Sequence, residues 1–212
     1  MVVFSYSKLN LLAFVSFVLF IFIGLTVQTE FVKIVDQGVI HTIQLLEAPA
    51  WTSIMKFLSF IGSGSMVALL SVPITLFLLF AWKSRRETIV FLTAVIGSAL
   101  LNIGLKLLFH RERPSLHAII VEAGYSFPSG HSMSAFTFYG IVTYLCWRHI
   151  PLEQARIWLL AFSSIMIASI GISRIYLGVH YPSDVVGAYL ISLVWLIVVI
   201  QCARYFTRVK AS

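Results

Sequence analysis

The chain has 212 residues, of which 59% are hydrophobic and 11% charged, and its net charge is +7. Soluble globular domains usually carry about 25% charged residues, so this composition excludes an ordinary soluble domain and indicates a membrane protein. The basic residues form no dense cluster, so contacts with membrane lipids are expected and a nucleic-acid partner is not.

Six charge-free stretches are long and apolar enough to suggest helices that cross a bilayer. A helix needs about 20 apolar residues to cross the hydrocarbon core, and some of these stretches must borrow a turn from their polar flanks. They cover residues 9–29, 57–82, 88–105, 132–147, 157–173 and 185–203. The sequence therefore predicts an all-α protein, a bundle of six transmembrane helices in one membrane-embedded domain over residues 1–212.

The segment between the first two stretches has a different pattern. Residues 30–50 place apolar side chains at roughly helical spacing among isolated charges, beginning with Phe31, Ile34 and Val35. This pattern is typical of a helix that lies along the membrane surface, so we expect short interfacial helices here. The sequence Gly-Ser-Gly-Ser at 62–65 predicts a break before the second span, since these residues weaken a helix.

The basic residues of the connecting segments predict the orientation in the membrane. With the N-terminus inside, nine Lys and Arg residues lie on the cytoplasmic side and six on the other. Cytoplasmic loops carry the excess of basic residues, so both termini are expected in the cytoplasm.

Three short motifs fall at helix ends on the opposite, outer side. The first is KLLFHRERP at 106–114, the second is PSGH at 128–131, and the third is SRIYLGVHYPSD at 173–184. A single basic side chain at a helix end often only extends to the interface, and one histidine alone is weak evidence for a site. Together, however, the motifs collect charged and titratable side chains on one membrane face.

The order K-x6-R-P, P-S-G-H and S-R-x5-H-x3-D resembles the type 2 phosphatidic acid phosphatase superfamily. Its members include bacterial phosphatidylglycerophosphate phosphatases, undecaprenyl diphosphate phosphatases and lipid phosphate phosphatases. The resemblance implies an enzyme of the bacterial plasma membrane that hydrolyses a lipid phosphate at an extracytoplasmic site. It also implies that His180 attacks phosphorus to form a phosphohistidine, and that His131 is the general acid.

The residue types themselves suit phosphoryl transfer. Lys106, Arg113 and Arg174 supply three positive charges for a phosphate, and a guanidinium can hold two of its oxygens at once. Ser129 is a good N-cap and Gly130 permits close approach, so PSGH predicts a helix N-terminus whose free N–H groups bind the anion.

Asp184 follows His180 by four residues and is expected to lie in the first turn of the last span. A carboxylate bonded to one ring nitrogen would fix the histidine tautomer and leave the other nitrogen free to attack. No metal-ligand spacing is evident in the sequence, so neither a metal nor another cofactor is expected.

Several polar residues near the motifs receive no catalytic role. His110, Glu112, His117 and Glu122 match no standard metal-site spacing and are expected to contact the loop or lipid headgroups. Glu122 and Tyr125 can still face the substrate. Tyr176 and Tyr181 are expected in the aromatic belt of the membrane interface.

The three motifs indicate a phosphate group in the substrate but do not indicate which lipid carries it. Phosphatidylglycerophosphate is slightly preferred, undecaprenyl diphosphate is the alternative and phosphatidic acid is third, with segments 30–50 and 115–127 as the expected discriminators. An alternative from another functional class is a transporter or a non-catalytic protein that binds lipid phosphates. It is disfavoured because the charges gather at one face instead of the midplane, and no paired broken helices are visible. No obligate protein partner is expected.

Overall fold

The computed structural model describes residues 6–115 and 117–209, and within these ranges the protein contains helices and no strand. The helices are α1 (Tyr6–Thr26), α2 (Glu30–Gln44), α3 (Pro49–Ile61), α4 (Gly64–Leu76), α5 (Arg85–Phe109), α6 (Gly130–Trp147), α7 (Glu153–Tyr176) and α8 (Pro182–Val209). A π-helical segment, Phe77–Ala81, extends α4. The predicted all-α fold is confirmed.

Five of the described helical segments are long and apolar enough to cross a membrane. They are Ser7–Thr26, Gly64–Ala81, Arg85–Phe109, Glu153–Tyr176 and Pro182–Phe206. Large apolar side chains such as Phe14, Leu25, Phe80 and Leu108 are exposed along them, a surface that suits lipid and not water. The chain is therefore a membrane protein.

Helix α6, predicted as the fourth span, is not among these five because serine, threonine and tyrosine lower its apolar character. It lies at the centre of the bundle, packed against α4, α5, α7 and α8. Its polar residues bond to neighbouring helices: Thr137 Oγ1 donates to Ser98 Oγ at 3.0 Å, and the hydroxyls of Thr143 and Ser163 are 2.7 Å apart. A helix enclosed by protein can carry such groups because each finds a partner.

The segment between the first two spans folds as two helices, α2 and α3. Gly62 is the C-cap of α3, and Ser63 begins the next helix as N-cap, its Oγ accepting from Met66 N at 3.2 Å. The predicted break at 62–65 is therefore confirmed. Helix α2 packs against α7 and α8, where it buries Asp36 and Ile40.

The described residues between α5 and α6, 110–115 and 117–129, form no regular helix, and this segment contacts the end of α7 and the start of α8. Ile119 N donates to Leu177 O at 3.0 Å, which ties this segment to the loop between those helices. Ser126 N donates to Arg111 O at 2.7 Å, which brings its two ends together. The segment also brings its two arginines, Arg111 and Arg113, to the start of α8.

Candidate active site

The PSGH motif forms the N-terminus of α6, as the sequence predicts. Ser129 is the N-cap and is fully buried, and its Oγ accepts from Ser132 N at 3.4 Å and from Ser132 Oγ at 3.0 Å. Gly130 is the first residue of the helix, and a Cβ there would lie 3.0 Å from Asn102 Oδ1. Gly130 and His131 belong to the first turn of the helix, where backbone N–H groups have no acceptor within the helix and can bind an anion.

His180 and Asp184 form a buried pair at the start of α8. His180 Nδ1 lies 3.3 Å from Asp184 Oδ2, and Tyr181 N donates to the same oxygen at 2.9 Å. Ser126 Oγ also donates to Asp184 Oδ2 and lies 3.3 Å from His180 Nδ1. Asp184 lies in the first turn of α8 and His180 just before it, as predicted.

The neighbours of His180 determine which ring nitrogen carries the proton. Arg113 Nη1 lies 3.1 Å from His180 Nε2 and cannot accept a hydrogen bond, whereas the carboxylate of Asp184 beside Nδ1 can only accept, so the proton belongs on Nδ1 and faces Asp184. Burial lowers the pKa of His180 to about 4, although its contacts with Asp184 oppose that shift. At neutral pH the imidazole is therefore uncharged, with the lone pair of Nε2 directed at Arg113.

Arg113 is held by its own segment and by the loop that precedes α8. Its Nε donates to Gly124 O at 2.9 Å, and Nη1 donates to Val179 O at 2.8 Å and to Glu122 Oε2 at 2.9 Å. These bonds fix the plane of the guanidinium next to His180. A planar, fixed guanidinium is well suited to bind phosphate oxygens.

The carboxylate of Glu122 lies between the two histidines. Its Oε2 accepts from Arg113 and from Arg174 and lies 3.7 Å from His180 Nε2, while Oε1 lies 3.5 Å from His131 Nδ1. Burial raises the pKa of Glu122, but the charges of Arg174 and the other cationic groups outweigh this and hold the pKa below its ordinary value. An anion thus occupies the centre of the cluster.

Arg174, near the end of α7, is almost fully buried below that carboxylate. It donates to Glu122 Oε2 through Nη2 and to Ser59 Oγ on α3 through Nη1. Within the described ranges, its Nε is a buried donor without a hydrogen-bond partner. Such an atom is costly to leave unpaired and suggests that a ligand completes the site.

Lys106 completes the set of predicted residues. It lies in the last turn of α5, partly buried, and interacts electrostatically with Arg113, Glu122 and Arg174. The structure thus brings Lys106, Arg113, Ser129, Gly130, His131, Arg174, His180 and Asp184 together at one end of the bundle. This end of the bundle consists of the C-termini of α5 and α7 and the N-termini of α6 and α8, the helix ends that carry the three sequence motifs.

Sequence reasoning missed several polar contacts of this site. Arg111 Nη1 donates to Asp184 Oδ1 at 2.6 Å and its Nη2 to Asp36 Oδ2 at 2.8 Å. Ser126 also contacts both His180 and Asp184. Arg111 lies within the first motif and Ser126 lies two residues before the second, so proximity to the motifs was the available signal.

Two tyrosines do not lie where the sequence predicts. Tyr176 is buried and its hydroxyl lies 2.8 Å from Thr52 Oγ1, so the expected place in an interfacial aromatic belt is wrong for this residue. Tyr181 is also buried, with Arg111 stacked 4.1 Å over its ring. His117 Nε2 lies 2.8 Å from Glu47 Oε2, with both side chains exposed, and the ring of His110 packs on Tyr125.

Comparison with known proteins agrees with this geometry. The model of the PAP2 superfamily matches residues 87–208, more than half of the chain and all three motifs. The chain belongs to the PAP2 superfamily. Phosphatidylglycerophosphatase B of Bacillus subtilis (strain 168) is 29% identical to it over 178 residues, which cover 84% of this chain and 87% of that protein. The putative undecaprenyl-diphosphatase YbjG of Escherichia coli (strain K12) is 30% identical over 131 residues, which cover 58% of this chain and 62% of that protein.

Two solved structures have a similar fold. The crystal structure of a transmembrane PAP2-type phosphatidylglycerolphosphate phosphatase from Bacillus subtilis has a TM-score of 0.86 at 27% identity, covering 91% of this PAP2 protein and 96% of that chain. Aquifex aeolicus LpxE has a TM-score of 0.63 at 23% identity, covering 78% and 94%, and shows the likeness of the fold alone. The predicted family is thereby confirmed.

Proposed function

We propose that this PAP2 protein is a membrane lipid phosphatase that hydrolyses phosphatidylglycerophosphate to phosphatidylglycerol and inorganic phosphate. The family and the phosphatases among its relatives support the lipid phosphatase class, so this part of the sequence prediction is confirmed. The substrate follows the relative from Bacillus subtilis, whose match covers most of both chains. Undecaprenyl diphosphate is the second candidate, and it is supported by the shorter match to YbjG.

The observation that carries the proposal is the neutral, oriented imidazole of His180 among cations. Its Nδ1–H is held by Asp184, and its Nε2 lone pair faces Arg113 and the position of the Glu122 carboxylate. A phosphate group placed at that position would meet the lone pair directly. Neighbouring guanidinium groups would stabilise the charge on its equatorial oxygens, the main requirement of phosphoryl transfer.

In the first proposed step, the lone pair of His180 Nε2 attacks phosphorus. A P–N bond forms as the P–O bond to the lipid breaks, and the proton of the His131 imidazolium moves to the leaving alkoxide. His131 lies on the other side of the Glu122 carboxylate from His180, so its position suits protonation of a group that leaves opposite the nucleophile. The phosphate dianion also brings negative charge next to His131, which favours its protonated form.

In the second proposed step, water hydrolyses the phosphohistidine. His131, now neutral, accepts a proton from the attacking water, the P–N bond breaks, and its electrons return to His180 Nε2. Asp184 keeps Nδ1 of His180 oriented throughout and stabilises positive charge on the ring. Arg113, Arg174 and Lys106 hold the phosphoryl oxygens, and the N-terminus of α6 at Ser129 and Gly130 supplies amide donors.

We also propose that α6 crosses the membrane as a sixth span and that α2 and α3 lie at the interface. The site is formed where α5 and α7 end and where α6 and α8 begin, which fits four helices that cross in alternating directions. The excess of basic residues supports cytoplasmic termini and an extracytoplasmic site. A phosphate at headgroup level would reach this site while the lipid tail remains in the bilayer.

Phosphate release by purified protein in detergent with excess chelator tests the proposal. Wild type, His180→Gln and His149→Gln are compared on phosphatidylglycerophosphate, undecaprenyl diphosphate and phosphatidic acid at equal surface concentration. His149 is a suitable control because it pairs with Glu87 at 3.1 Å, outside the site. We expect fastest turnover of phosphatidylglycerophosphate by wild type and the control, and loss of about a thousandfold or more in His180→Gln. If undecaprenyl diphosphate is hydrolysed faster, it is the substrate and phosphatidylglycerophosphate is not. If His180→Gln is as active as wild type, His180 is not the nucleophile.

A further inference from the structure

A chain of buried charges leads from α2 to Asp184. Residue exposure is 3% for Asp36 and 4% for Arg111, so both are shielded from solvent. Arg111 Nη2 donates to Asp36 Oδ2 at 2.8 Å, and Nη1 donates to Asp184 Oδ1 at 2.6 Å. One guanidinium therefore bridges two carboxylates, and the second of these contacts His180.

Among the described residues, Arg111 is the side chain that donates to Oδ1 of Asp184. The other oxygen, Oδ2, accepts from Ser126 Oγ and Tyr181 N and faces His180 Nδ1. Without Arg111 the carboxylate would be fixed through Oδ2 alone and could rotate about its Cβ–Cγ bond. Such rotation would weaken the contact that sets the tautomer and orientation of His180.

Asp36 in turn fixes both Arg111 and the start of α8. Its Oδ1 accepts from Ser183 N at 3.0 Å, and its Oδ2 accepts from Ser183 Oγ at 2.5 Å. Ser183 lies in the first turn of α8, where backbone N–H groups lack acceptors within the helix and a negative charge is favourable. Ser183 Oγ also accepts from Arg111 Nη1 at 2.7 Å, so the three side chains form one connected group.

We infer that Asp36 and Arg111 are positioning residues that hold Asp184, and through it His180, in the orientation needed for attack on phosphate. This inference rests on the proposed role of His180. It gives α2 a part in the reaction: the helix fixes the orienting carboxylate from the side opposite to the substrate. The other reading is that the pair merely docks α2 on the bundle, and the two readings predict different kinetics.

Positioning residues of opposite charge should shift the titration of His180 in opposite directions. Removal of the positive charge of Arg111 favours the imidazolium form of His180. As the pH is lowered, the variant should therefore lose activity at a higher pH than wild type does. Removal of the negative charge of Asp36 disfavours the imidazolium, so activity should persist to lower pH. The other titratable or charged residues around His180 are the same in every variant, namely Lys106, Arg113, Glu122, His131, Arg174, Tyr181 and Asp184.

The test measures kcat and KM for Asp36→Asn and Arg111→Met, with Arg111→Lys as the conservative variant. It also measures the pH at which kcat/KM falls on the acidic side of the pH profile, which is called the acid limb. We expect kcat to fall about ten- to hundredfold with KM nearly unchanged. The acid limb should move up in pH for Arg111→Met and down for Asp36→Asn. Lysine should restore the position of the limb, because it retains the charge, and little of kcat, because it cannot bridge two carboxylates.

Glu30→Gln serves as the control, since it removes an exposed acid from the same helix as Asp36. The double variant Asp36→Asn/Arg111→Met removes both charges and so avoids an unpaired buried ion if Arg111→Met alone does not fold. A folded double variant with wild-type kcat would overturn the inference. Because His180→Gln is run in parallel, an inactive His180→Gln beside fully active Asp36 and Arg111 variants refutes the positioning role alone.

Discussion

Substitution of Glu122 by glutamine should strengthen the binding of phosphate. The Glu122 carboxylate occupies the position proposed for the substrate, where it neutralises Arg113 and Arg174. A phosphate dianion must displace this carboxylate before it can contact the same guanidinium groups. Glutamine has nearly the same size but is neutral, so it competes less well for the two arginines.

The expected magnitude follows from the two contacts that change. The amide oxygen of glutamine can still accept from both guanidinium groups, so each contact loses only its ion-pair component, about 1 kcal/mol. The Glu122 side chain is 26% exposed, which screens part of this difference. A net change of about 1–2 kcal/mol corresponds to roughly five- to thirtyfold tighter binding.

The assay is competitive inhibition of lipid hydrolysis by inorganic phosphate and by vanadate, with Glu112→Gln as the matched control. Glu112 belongs to the same segment but is exposed, so its substitution should leave both inhibition constants within about twofold of wild type. If the inhibition constants of Glu122→Gln equal those of wild type, the carboxylate does not compete with phosphate. If they rise, Glu122 assists binding, and its place as a counter-ion is refuted.

Three further predictions test the chemistry and the topology. His180 has a pKa of about 4 in the folded protein against 6.5 for an unperturbed histidine, so the stability gained from the neutral ring is complete above pH 6.5 and lost as the pH falls toward 4. The melting temperature should therefore drop more between pH 7 and 5 in wild type than in His180→Gln, and equal drops would contradict the buried neutral ring. Activity should survive excess chelator, whereas its loss and recovery with magnesium would show that cationic side chains alone are insufficient. A cysteine replacing the exposed Ser115 should be labelled from outside intact cells, and labelling only after permeabilisation would invert the proposed orientation.

The predicted part of the site rests on helix ends that the sequence marks clearly. Ser129 and Gly130 start a helix because an N-cap type and a small residue precede an apolar run, and the structure places that start as predicted. His180 and Asp184 are only four residues apart, one just before α8 and the other in its first turn, so their contact is local in the chain. Charge-free stretches likewise predict five of the spanning helices because the length of a span depends on the local composition of the chain.

The remainder depends on contacts between residues far apart in the chain. Asp36 lies 75 residues from Arg111, on a helix whose apolar pattern predicts an amphipathic surface helix and not which polar residue it buries. Glu122 lies in a segment without periodicity, so its contact with Arg174 on α7 has no local signal. Tyr176 was expected at the interface because tyrosines are common there, but packing of α3 on α7 buries it beside Thr52.

The buried charges of the site alternate in sign, and this alternation explains how the cations are tolerated before substrate binds. Asp36 is followed by Arg111 and Asp184 on one side of His180, and Arg113, Glu122 and Arg174 follow on the other. Because a buried charge is costly unless it is paired, each guanidinium needs a carboxylate while the site is empty. The pairs behind His180 consist of fully buried side chains, whereas Glu122 is partly exposed and lies on the segment between α5 and α6. The permanent pairs can therefore keep the proposed nucleophile oriented, while the phosphate of a substrate would replace the exchangeable anion and find its proposed binding groups already in place.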